Sequence, residues 1–304
     1  MQKYFFEYVM LLGFILGLSS CREIIPETYY DFNALPVVNA YLIDGQVLNV
    51  NVSMSDILDE NQLTFIDNAR IELFVNDDYL EDLYYVENGE YKSTTVLKSG
   101  NKYMCKVIVP DFDTIICEQT VPERAALLDI THINIAGKDE EGVSFPAIEI
   151  SFKNDTMQNT YYQVVIYYTN SYETSEANLK LITDPVLLNE GIPYAIFSNE
   201  LIEDAVYTMH INYWTNNSSK VGNGPWRTSL YPFHVELRQV SEDYYRYVKQ
   251  LYLYKDGVAA DGILTSMTNN NIFSNVENGY GIFAAYSSVV SDTITPNTND
   301  YYGY

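Results

Sequence analysis

LPVVNAYLIDGQVLNVNVSM, residues 35–54, decides the fold class. Apolar residues alternate with polar ones on both sides of Asp44-Gly45, a dipeptide suited to a tight turn, and the apolar set is rich in Val and Leu rather than spaced at helical intervals. Two half-buried strands joined by a hairpin follow from that pattern. Reading outward, the same texture continues through ARIELFV (69–75), LYYV (83–86), YKSTTVL (91–97), KYMCKVIV (102–109) and TIICEQTV (114–121). Asn76-Asp77-Asp78, Asn88-Gly89 and Ser99-Gly100-Asn101 separate the runs. About seven short strands with a turn signal every ten or so residues predict an immunoglobulin-like β-sandwich over residues 35–123. Val121-Pro122-Glu123 closes it, because proline cannot continue a central strand.

A second β-rich domain is expected over residues 124–304. Its strands are LDITHINIA (128–136), FPAIEISF (145–152), TYYQVVIYYT (160–169), LKLIT (179–183), AVYTMHINYW (205–214), YPFHVELRQV (231–240) and GIFAAYSSVV (281–290). Alternation in AIEISF and HVELRQV predicts sheets with one wet face. Long polar connections are expected at 184–204 and 215–229. One stretch, SEDYYRYVKQLYLYKDG, departs from the β pattern. Ser241 is placed to cap a helix, Glu242 and Asp243 sit at its positive end, and Tyr244, Val248, Leu251 and Tyr252 share a face. An amphipathic helix near 241–255 is predicted, with Gly257 as its stop.

Upstream of the sandwich, residues 1–20 read as a signal peptide: Lys3, then the apolar run YVMLLGFILGL (8–18), then Ser19 and Ser20 before Cys21. The run is shorter than the roughly 20 apolar residues a membrane span needs. Leu18-Ser19-Ser20-Cys21 has the form of a bacterial lipobox, which makes Cys21 the expected site of lipidation and residues 21–34 a tether. Arg22 after the Cys is unlike the signal for inner-membrane retention, so an outer-membrane, lipid-anchored location is expected, on either face. The formal charge of −24 persists after the signal is removed, since residues 1–20 carry one Lys and one Glu. Such an acidic chain excludes nucleic-acid binding through a phosphate-neutralising patch and adsorption to anionic lipid by charge.

Taken in order, the lipobox with LPVVNAYLIDG (35–45), NARIELF (68–74), GEYKS (89–93) with GNKYMCKV (100–107), and SEDYYRYVKQL (241–251) followed by FSNVENGYGIFAAYS (273–287) resemble the DUF4249 domain family, lipoproteins of Bacteroidetes. The resemblance covers nearly the whole mature chain. It implies a cell-envelope lipoprotein, often encoded beside a TonB-dependent outer-membrane receptor, with no known catalysis and no site residues to transfer.

Chemistry-bearing residues are few. Cys105 and Cys117 lie on consecutive predicted strands; with the hairpin centred near residue 111 they are directly opposite, close enough for a cross-strand disulfide, with buried free thiols as the other reading. His132, His210 and His234 fall on three separate strands without metal-ligand spacing, so no metal or other cofactor is expected. No nucleophile elbow, Walker loop or dinucleotide fingerprint occurs, and no enzyme is expected. Asp111 and Asp113 at a hairpin tip read as solvated turn acids rather than a calcium site. The best prospect is WTNNSSKVGNGPWR (214–227), which gathers Trp214, Trp226 and Arg227 among small polar residues, the composition of a recognition loop. Two function classes follow: an accessory or ligand-binding component of a TonB-dependent uptake system, or a surface glycan-binding or glycan-cleaving protein.

Overall fold

The computed structural model describes residues 34–56, 63–170, 173–214, 218–220, 222–224, 226–259, 272–297 and 300–302. The signal segment, Cys21 and all of the tether before Ala34 lie outside them. Eight strands come first: β1 (Pro36–Ile43), β2 (Val47–Met54), β3 (Arg70–Val75), β4 (Asp78–Asp82), β5 (Tyr84–Tyr85), β6 (Glu90–Val96), β7 (Lys102–Ile108) and β8 (Ile115–Thr120). One layer runs β1-β2-β6-β5 and the other β4-β3-β7-β8. Lettered in chain order these are A-B-E-D and C′-C-F-G, the immunoglobulin arrangement. Alternation in the opening stretch becomes burial: Val38, Ala40, Leu42, Leu48, Val50 and Val52 pack against Ile71, Leu73, Tyr103, Cys105 and Val107 of the opposite layer. Each fully buried aliphatic side chain contributes about 1.5–3 kcal/mol. At the 88–89 turn glycine is required, since a Cβ on Gly89 (φ +72°) would lie 2.2 Å from the Val52 carbonyl oxygen.

The second set of elements is β9 (Leu127–Lys138), β10 (Ser144–Lys153), β11 (Tyr161–Thr169), β12 (Thr174–Glu176), β13 (Asn178–Leu179), α1 (Pro185–Glu190), β14 (Ile196–Ser198), β15 (Val206–Trp214), β16 (Ser218–Lys220), β17 (Trp226–Ser229), β18 (Phe233–Val240), α2 (Glu242–Ala259), β19 (Tyr280–Val290) and β20 (Asp300–Tyr302). The chain is mainly β, as the alternation predicts.

Hydrogen bonding runs straight across the boundary expected at residue 123. β19 pairs in parallel with β1, from Val37↔Tyr280 to Ile43↔Tyr286, and antiparallel with β18. The result is a nine-stranded sheet of order β12-β11-β18-β19-β1-β2-β6-β5, with β14 also on β11. Packing nevertheless stays in two parts. Phe283 and Ala285 of β19 complete the first core. A second core forms where Val164 and Ile166 of β11 and Val235 and Leu237 of β18 meet Ile148, Ile150 and Phe152 of β10 and Met209 and Ile211 of β15. Each segment therefore has its own interior, while one sheet supplies a layer to both.

Helix α2 lies on the other face of that sheet, where Tyr244 and Val248 pack with Val240, Ile282 and Ala284. Ser241 caps it as expected, its Oγ accepting from the Tyr244 amide at 3.3 Å. The helix continues to Ala259, past Gly257, so Gly257 is not its stop. The segment expected to be a long polar connection contains α1. There Asp184 Oδ1 accepts from the Val186 amide at 2.9 Å, Pro185 occupies the first turn, and Gly191 closes the helix at φ +70°.

Candidate functional site

Three separate pieces of chain converge on the two tryptophans. Trp214 ends β15, Trp226 begins β17, and the turn between β9 and β10 brings Asp139, Glu140 and Glu141 beside them. Together with Lys180 and Ser218 they line an open cleft of about 460 Å³. Trp226 Nε1 donates to the Glu141 carbonyl at 3.2 Å, which fixes the indole against the acidic turn. Thr228 Oγ1 bonds Ser218 Oγ at 2.7 Å and donates to the Ser144 carbonyl at 3.3 Å, tying β17 to β16 and to the start of β10.

The turn itself is held by Asp139, whose Oδ1 accepts from the Val143 amide at 2.8 Å and the Glu141 amide at 3.1 Å. Its Oδ2 pairs with Lys180 Nζ at 3.1 Å. Burial pushes the Asp139 carboxyl up, but those amides and the Lys180 ammonium more than offset it and hold it below the usual carboxylate range. Each indole also faces a cation: Lys180 Nζ lies 5.2 Å from the Trp214 ring centre and Lys220 Nζ 5.7 Å from that of Trp226. Both tryptophans are half-buried, and neither belongs to a core. Arg227 is exposed and does not line the cleft; alternation along β17 turns it to the face opposite Trp226.

The other sequence candidates are dispersed. Cys105 and Cys117 are register partners on β7 and β8, as the hairpin geometry requires, and both are buried free thiols. His132 bonds the Tyr213 hydroxyl at 2.9 Å, His210 contacts Asn212 at 3.0 Å, and His234 stacks on Tyr167 with ring centres 5.3 Å apart. Among the described residues no three His, Cys, Asp or Glu side chains are grouped to hold a metal. Asp111 and Asp113 are exposed at their turn.

A buried ionic centre was not apparent from the sequence. Glu236 and Arg238 sit on the face of β18 expected to be wet, yet their side chains are only 13% and 14% exposed. Arg238 Nη2 bonds Glu236 at 2.6 Å and Tyr167 OH at 3.0 Å, Nη1 bonds Gln163 at 3.1 Å, and the guanidinium carbon lies 4.7 Å from the Tyr286 ring centre. Neighbouring tyrosines, including Tyr244 from α2, cover what the β18 alternation alone would leave in solvent. This centre is closed, with all but Arg238 Nε of the guanidinium nitrogens turned on neighbouring side chains, whereas the tryptophan cleft opens outward.

The sequence profile of the family described as "Domain of unknown function (DUF4249)" matches residues 22–292. No curated protein matches the chain.

Proposed function

We propose, from the premise that this chain belongs to the DUF4249 family, that it is a non-enzymatic, lipid-anchored cell-envelope protein that presents a partner-binding surface to a TonB-dependent outer-membrane uptake system. The anchor in this reading is Cys21, which lies outside the described residues. The observation that carries the surface is the Trp214–Trp226 cleft: two half-buried indoles held in place by a backbone hydrogen bond and by lysines, rimmed by Asp139, Glu140 and Glu141. Such a site combines rigid aromatic area with a charged rim, the make-up of an interface hot spot. Its openness suits a macromolecule better than a small ligand, which needs most of its surface enclosed.

Affinity purification of the tagged protein from its native membrane tests the reading. A TonB-dependent receptor should co-purify with the wild type and be depleted with Trp226→Ala, while Cys21→Ser should release a folded protein from the membrane. Recovery of the lipoprotein alone under mild detergent would overturn the assignment.

A further inference from the structure

A second groove on the described surface lies elsewhere, between α2 and the start of β1, and shares no lining residue with the tryptophan cleft. We infer that this groove, about 940 Å³ and walled by Tyr247, Tyr254, Phe273 and Tyr280, is a binding site for a neutral saccharide.

The helix supplies one wall through a single stripe. Tyr247, Gln250 and Tyr254 are spaced i, i+3, i+7 and so project from one face of α2. The other tyrosines of this helix are engaged elsewhere: Tyr244 OH donates to Gln163 at 2.9 Å, Tyr245 OH donates to Glu190 at 2.5 Å, and the Tyr252 ring meets Tyr194 edge-on. Tyr247 and Tyr254 make none of these bonds, which leaves their hydroxyls for a ligand. Opposite them, Asn39 Oδ1 accepts from the Ile282 amide at 3.2 Å, leaving its Nδ2 to donate. Gly281, at φ +122°, keeps the floor free of side chains, because a Cβ there would meet the Val38 carbonyl oxygen at 2.0 Å.

Ligand chemistry follows by elimination. Among the described lining residues there is no Lys or Arg, and the whole chain carries −24, so a phosphate, sulfate or carboxylate ligand would find no counter-charge there. A purely apolar ligand would cover Asn39 Nδ2 and the Gln250 amide without giving them partners, at about 1–3 kcal/mol each. A small cation needs several oxygen ligands, whereas Asp56 is the one carboxylate among the described lining residues and already makes a contact of its own. A saccharide uses the amides and the phenols together: its C–H face lies on a ring, and its hydroxyls both give hydrogen bonds to them and take hydrogen bonds from them.

Isothermal titration of the full chain with neutral hexasaccharides (maltohexaose, cellohexaose, laminarihexaose and mannohexaose) tests this. Saturable binding of at least one is expected. Gln250→Ala, an exposed helix position, and Tyr280→Ala should each weaken it by about tenfold, with thermal melting unchanged for Gln250→Ala. Trp226→Ala should leave it intact, which separates this site from the partner surface. Flat isotherms for every hexasaccharide into the millimolar range would overturn the inference, as would binding that is lost with Trp226→Ala but kept with Gln250→Ala.

Discussion

Replacing Arg238 with Met should be among the most damaging single changes outside the hydrophobic cores. The substitution keeps much of the side-chain volume while removing the partner of Glu236, a carboxylate only 13% exposed, and withdrawing the donor to Tyr167. Burial alone would favour the neutral guanidine; the hydrogen bond and charge of Glu236 more than offset it and keep the group firmly ionised. Breaking a buried pair from one side costs about 3–5 kcal/mol. Two features pull the figure here to the lower end, about 3 kcal/mol. Both side chains retain some solvent, and Arg238 Nε is already buried without a partner, so its removal relieves a cost. Urea unfolding followed by circular dichroism should show a lower midpoint with an unchanged slope. The double variant Glu236→Leu with Arg238→Met should return to within about 1 kcal/mol of wild type, because no lone charge remains. A single variant that loses less than about 1 kcal/mol, or a double variant as weak as the single, would refute the ionic-centre argument.

Three further outcomes are expected. Burial lowers the pKa of His132, so the unfolded chain takes up its proton first as pH falls through the ordinary histidine range near about 6.5, and stability drops with it; melting temperatures between about pH 7 and 5 should fall less steeply for His132→Gln than for wild type. In the reduced protein, hydrogen bonding to Cys117 and burial raise the Cys105 pKa, and Cys117 is itself closed off in the core, so neither thiol should react with a disulfide reagent until denaturant is added; rapid labelling of the native protein would contradict the packing around β7 and β8. A fragment spanning residues 34–123 lacks β19, leaving the β1 edge unpaired and the first core without Phe283 and Ala285; it should not unfold cooperatively, and a sharp thermal transition would show that the sandwich does not need its borrowed strand.

That borrowed strand marks where reading the sequence stops being sufficient. Alternation is a local property, so β1 and β2 were visible in residues 35–54, and the hairpin from residue 105 to 117 could be registered from its turn. The pairing of β1 with β19 joins segments more than 230 residues apart and is parallel, so no connecting turn announces it. Pro122 was a true end of a strand but not of a sheet, since nothing in a strand's own composition says what lies along its edge. HVELRQV failed differently. Its alternation was real, but a period of two distinguishes only two faces; whether the second meets water or a helix depends on α2, and the five tyrosines of SEDYYRYVKQLYLY were the available hint that this helix had polar groups to cover. Helix α1 carries local signals inside the stretch expected to be a polar connection: Asp184-Pro185 at its start and Gly191 at its end. The cleft and the groove share the property of the borrowed strand. Trp214 and Trp226 could be paired from the loop between them, but Asp139 and Lys180 reach them only through the sheets, as Asn39 reaches Tyr247 only because β19 carries α2 back to β1. The groove therefore depends on the nine-stranded sheet, whereas the cleft rests on β15, β17 and the β9–β10 turn of two smaller sheets, so a change that loosens the β1–β19 pairing should disturb the groove before the cleft.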